Sequence, residues 1–123
     1  MDASLKSINE KIINNKKRVQ NHGEVFTPKK IINKMLDLPN ICEACQNLTS
    51  TFLEPAAGEG AFLVEVLNKK INMIIKKYSD DLTSYENYSL LALSTLYGVE
   101  LLEDNALKCV MNMYQAYYEA YQN

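Results

Sequence analysis

Four residues carry the clearest chemical signal: two acids, Glu54 and Glu100, and two glycines, Gly58 and Gly60. Glu54 closes the apolar run that opens FLEPAAGEGAF (52–62), and Glu100 closes a second run, LYGVE (96–100). Glycines two residues apart allow a tight turn and let a ligand come close to the backbone. In open α/β sheets, ligands bind beyond the carboxyl ends of the strands. Both acids fall at such ends, and the pairing favours a nucleoside site over a plain βα turn.

The turn also narrows the ligand. A P-loop needs Gly-Lys-Ser/Thr, which is absent, and the dinucleotide fingerprint needs a small residue where Leu63 stands. Glu54 and Glu59 make the loop acidic, with no Lys or Arg in it. A pyrophosphate there meets like charge, relieved only by a helix N-terminus. A nucleoside with a positive centre and no phosphate fits better, and S-adenosylmethionine is such a ligand.

The elements that must position these residues follow from periodicity. Residues 51–54 and 96–100 read as short buried strands, with a helix from 61 to about 77 after the glycine turn. In that helix Phe62, Leu63, Val66, Leu67, Ile71, Ile74 and Ile75 face inward, and Lys69, Lys70, Lys76 and Lys77 face outward. Residues 78–87 are polar and acidic, hence a loop, with a short helix over 88–95. Glu103-Asp104 opens a last helix to about 121, as acids favour helix N-termini. Its tyrosines 114, 117 and 118 read as packing residues. Upstream, Thr27-Pro28 looks like an N-cap and first helical position. Pro39-Asn40 ends that helix, and 41–48 forms another. Residues 4–20 carry Leu5, Ile8, Ile12, Ile13 and Val19 at amphipathic-helix spacing, and Asn21-His22-Gly23 breaks the pattern.

The chain has 123 residues and a net charge of −2, so it is not a basic nucleic-acid binder as a whole. Lys11, Lys16, Lys17, Arg18, Lys29 and Lys30 face only Glu24 within their segment, a patch read as a solvated helix face rather than a phosphate site. Cys42 and Cys45 form a lone C-x-x-C without a second ligand pair, which reads as two reduced thiols and no metal site. No apolar run approaches a membrane span, and no signal peptide opens the chain, so a cytoplasmic protein is expected.

Three stretches resemble the adenine-N6 DNA methyltransferases of bacterial restriction–modification systems. GEVFTP (23–28) is similar to the family's N-terminal cofactor motif, FLEPAAGEGAF to its glycine-rich motif, and YGVELLEDNA (97–106) to its second-strand motif. The resemblance implies an α/β, partial Rossmann-like S-adenosylmethionine-dependent methyltransferase fold, helix-rich, with about two parallel strands. It divides the chain into an N-terminal helical segment, 1–22, and a partial cofactor-binding domain, 23–123. It also implies roles. Thr27 would help hold the cofactor's carboxylate, compatibly with an N-cap. Glu54 would lie near the methionine moiety, with Pro55 in the same turn, and Gly58 and Gly60 would make room for the cofactor. Glu100 would accept from both ribose hydroxyls. Leu101 would pack on the adenine ring or in the core, and Phe26 near the cofactor or in the core.

The family's catalytic motif is Asn, Asp or Ser, then Pro-Pro, then an aromatic residue. Here the prolines are Pro28, Pro39 and Pro55, so no Pro-Pro pair occurs and no catalytic residue is assigned. The spacing from the glycine turn to Glu100, about twice that of a simple βαβ unit, is attributed to an insertion at 78–88. The resemblance implies DNA as a partner through the complete enzyme, with a separate catalytic or specificity subunit as a further partner. The competing expectation is a helical interaction module or non-catalytic subunit with a vestigial cofactor pocket; a dinucleotide oxidoreductase half is disfavoured by Leu63.

Overall fold

In a computed structural model of the chain, residues 27–122 are described. The elements run α1 (Lys29–Leu36), α2 (Pro39–Cys45), β1 (Phe52–Glu54), α3 (Ala61–Tyr78), α4 (Leu82–Ser94), β2 (Leu96–Gly98) and α5 (Glu103–Gln122). The expected amphipathic helix over 4–20 and Phe26 lie outside the described residues.

The two strands pair in parallel, Phe52 with Leu96, Leu53 with Tyr97 and Glu54 with Gly98. The pairing continues past their ends: the Phe52 N–H donates to the Thr95 carbonyl, and the Val99 N–H to the Glu54 carbonyl, both at 2.9 Å. Helix α3 is the centre of the molecule. Its Leu67, Ile71 and Ile74 pack with Tyr85 and Ala92 of α4. Its Val66 meets Ile32 and Leu36 of α1 and Cys45 of α2. Its Leu63 meets Ala57 and Cys109. Each aliphatic side chain buried this way contributes about 1.5–3 kcal/mol. Among the described residues the helices cover one face of the sheet only; on the other, Leu53 and Tyr97 are 65% and 54% exposed. This helix-rich arrangement with two parallel strands is the coarse architecture expected.

Several local expectations change. Pro28, not Thr27, is the cap of α1, its carbonyl accepting from the Ile31 and Ile32 N–H groups at 3.0 and 3.1 Å. Pro39 does not merely stop α1: it is the first residue of α2, where its fixed φ and missing N–H suit a helix start. The supposed loop at 78–87 is mostly helix α4. Asp81 caps it, accepting from the Ser84 N–H at 3.2 Å and from the Ser84 hydroxyl at 2.7 Å. The long spacing before Glu100 is therefore a second crossover helix, not a polar insertion.

Lys70 does not face solvent but is fully buried. Its ammonium donates to the Ser50 carbonyl at 2.6 Å and to Thr95 Oγ1 at 2.8 Å, and lies 5.3 Å from the centre of the Phe52 ring. These bonds tie the chain just before β1 to the residue just before β2. Burial lowers its pKa, and among the described residues no carboxylate reaches it. The tyrosines of α5 divide: Tyr117 packs against the α3–α4 core, whereas Tyr114, Tyr118 and Tyr121 are exposed.

Candidate functional site

At the carboxyl end of the sheet the chain folds the two strand ends against the glycine turn. The Ala57 N–H donates to the Val99 carbonyl at 2.9 Å, which joins the turn to the β2 end. Gly58 and Gly60 have φ of 57° and 88°, left-handed values that disfavour any side chain. The Gly60 N–H donates to the Ala57 carbonyl at 2.9 Å, and the Gly60 carbonyl accepts the first α3 bond, from the Val64 N–H, at 2.8 Å. The N–H groups of the first α3 turn, which no intrahelical carbonyl can satisfy, thus open at the strand ends.

Both acids are held by their own turns. Glu54 Oε1 accepts from the Ala56 N–H at 3.0 Å, and Glu100 Oε1 from the Leu102 N–H at 3.2 Å. Among the described residues neither carboxylate has a cationic partner. Glu59 differs: Lys108 of α5 stands 3.5 Å from its Oε1, and Asn112 Nδ2 donates to its carbonyl at 2.9 Å. The turn is therefore less acidic than its own residues suggest, because a cation arrives from a distant helix.

Helix α5 also sets a demand on Gly60. A Cβ there would lie 2.7 Å from Cys109 Sγ, so this glycine serves helix packing, whatever ligand approaches the turn. Cys109 is buried, as expected, and burial together with the nearby Glu100 carboxylate raises its thiol pKa. Lys108, Cys109 and Asn112 carried no sequence signal for this site. They lie about fifty residues beyond the turn and match no motif.

Glu54, Pro55, Gly58, Gly60, Glu100 and Leu101 all stand at this one end of the sheet, with Pro55 exposed and Leu101 83% exposed. A cavity of about 420 Å³ runs from Ala57, Gly98 and Glu100 along the inner side of α5. Thr27 is exposed, two residues before α1. The Lys29–Glu65 pair at 3.5 Å holds the start of α1 beside the second turn of α3. Carboxylates with no cationic partner among the described residues, flanking a glycine turn, suit a ligand with hydroxyls and a positive centre.

A parallel strand, a glycine turn, two helices and a second strand ending near an acid define an α/β protein. The N-6 DNA methylase family matches residues 4–119, and the chain belongs to that family. No curated protein and no solved structure matches it. The chain is thus related to DNA adenine methyltransferases. Among the described residues no helix is long and apolar enough to cross a membrane.

Proposed function

We propose that these 123 residues are the S-adenosylmethionine-binding portion of an adenine-specific N6 DNA methyltransferase of a restriction–modification system, acting in the cytoplasm. The observation that carries this reading is the pair Glu54 and Glu100, without a cationic partner among the described residues, on either side of the Gly58–Gly60 turn. Glu100 would accept from the ribose hydroxyls, Glu54 would face the methionine amino group, and Leu101, being exposed, is free to lie on the adenine. By the resemblance, Thr27 and Phe26 would also contribute to holding the cofactor. S-adenosylmethionine would supply the methyl group. The chain's own residues bind and orient that cofactor, and the absence of a Pro-Pro motif leaves base binding and transfer to groups outside this sequence. DNA is then engaged through the complete enzyme, including a catalytic or specificity subunit if that part is a separate chain.

Calorimetric titration with S-adenosylmethionine, S-adenosylhomocysteine and NAD tests the proposal. The first two should bind and NAD should not. Hydrogen bonds to a charged group contribute about 1.5–3 kcal/mol each. Glu100→Ala should therefore weaken binding by about tenfold or more. Glu100→Gln should lose less, because its amide oxygen still accepts. Equal affinity for all three proteins would remove Glu100 from the site. The purified chain alone should transfer no labelled methyl group to adenine in duplex DNA, and transfer by it would overturn the division of labour.

A further inference from the structure

We infer that residues 4–20 of this chain dock, apolar side down, in the groove that α1, α3 and α5 form on the side of α3 away from the sheet. The docking is independent of the cofactor reading. On α3, Phe62, Leu63 and Lys70 reach toward the strands: the Phe62 and Phe52 ring centres are 6.5 Å apart, a Cβ on Gly98 would meet Leu63, and Lys70 bonds to Ser50. Ala61, Val64 and Asn68 lie on the opposite side of the helix and, with Ile32, Ala116 and Ala120, line a groove of about 470 Å³. Its floor is small and mostly apolar, and its rims carry Glu65 on α3 and Glu119 on α5. Among the described residues only Lys29 answers these carboxylates, pairing with Glu65 at 3.5 Å; Glu119 accepts from the neutral Gln115 Nε2 at 2.9 Å.

The segment before Thr27 matches this surface in position, charge and pattern. Lys29 lines the groove, so the chain enters α1 at its rim. Residues 21–26 can span at most about 20 Å. The helix expected over 4–20 is about 25 Å long, enough to lie along the stretch of α5 from Asn112 to Ala120. Residues 1–26 hold five cations, Lys6, Lys11, Lys16, Lys17 and Arg18, against three acids, whereas residues 27–123 hold eight against twelve. In helical register Leu5, Ile8, Ile12 and Val19 share one stripe, with Lys11 and Arg18 on one flank and Lys6 and Lys17 on the other. Laid on the groove floor, that stripe brings a cation to each acidic rim. The family match begins at residue 4 and runs to 119, so segment and groove belong to one family unit.

Other occupants fit less well. A crossover from α5 leads back to the sheet, on the other side of α3. A second copy offers the same basic segment, but the tethered one competes at an effective concentration of about millimolar.

The test uses the full chain with labelled methyl groups. Nuclear Overhauser contacts should join Ile8 and Ile12 to Val64, Ala116 and Ala120. Amides over 5–19 should exchange about tenfold more slowly than in a synthetic peptide of residues 1–26. Ile12→Asp, outside the described core, should abolish both effects. Glu119→Lys, at an exposed position where folding is not at stake, should reduce the protection about threefold by setting like charge against the segment. The docking is overturned by no contact between segment and groove, by contacts to the exposed Val110 and Met111 instead, or by protection that Glu119→Lys leaves unchanged. Contacts found only between labelled and unlabelled chains in a mixed sample would assign the groove to a second copy, and overturn it too.

Discussion

Gly60 answers to a neighbour as well as to its backbone. At φ of 88°, an added methyl group meets Cys109 Sγ at 2.7 Å and the Cys109 Cα at 3.2 Å. Gly60→Ala should therefore cost about 1–3 kcal/mol in urea denaturation. Cys109→Ala in the same chain should return part of that loss but not all, since the backbone contact remains. Additive effects would show that the two residues do not press on each other. At this scale the sequence was most informative where residue type alone restricts geometry. Glu54, Gly58, Gly60 and Glu100 stood out because acids at strand ends and paired glycines have few explanations. Lys108 and Asn112 did not, because their roles depend on a helix docking across 49 and 53 residues of chain.

Among the elements, α3 and α4 show how a pattern can be right in outline and wrong in one residue. Lys70 falls on the apolar stripe of α3, between Val66–Leu67 and Ile74, and that position foretold burial more faithfully than its charge foretold exposure. The first half of α4 was hidden by Thr83, Ser84, Glu86 and Asn87, although Asp81 three residues before Ser84 is an N-cap signal. Asp81→Ala should lower the melting temperature, and Asp81→Ser should keep most of it. The Ser84 bonds hold the Asp81 pKa below its ordinary value. The stability they add is thus present above the ordinary Asp pKa and fades as pH falls through the lowered one. Lys70 runs the other way. Its folded pKa is lowered by burial, so between that value and the ordinary lysine pKa the unfolded chain binds more protons, and stability rises with pH. Lys70→Met should lack this alkaline rise. Urea midpoints taken from neutral to alkaline pH would show it, and parallel curves for the two proteins would rule it out.

Across the described residues, helices cover one side of the sheet and leave Leu53 and Tyr97 exposed on the other. Leu53→Thr and Tyr97→Thr, on the bare face, should each change stability by less than about 0.5 kcal/mol. Light scattering should show less self-association, because the pair forms an apolar patch that no described residue covers. A larger loss of stability would mean that this face is covered in solution. The register of the sheet has a further consequence, for the order of folding. Phe52 meets Leu96 across 44 residues of chain, and most of that stretch is α3 and α4 joined by a three-residue turn. The helix pair is local and the strand pair is not, so the hairpin of helices should form early and bring the strand ends together as it closes. Ile74→Val, in the α3–α4 contact, should then slow refolding, while Phe52→Leu should leave refolding nearly unchanged and hasten unfolding, visible as displacement of opposite arms of the chevron.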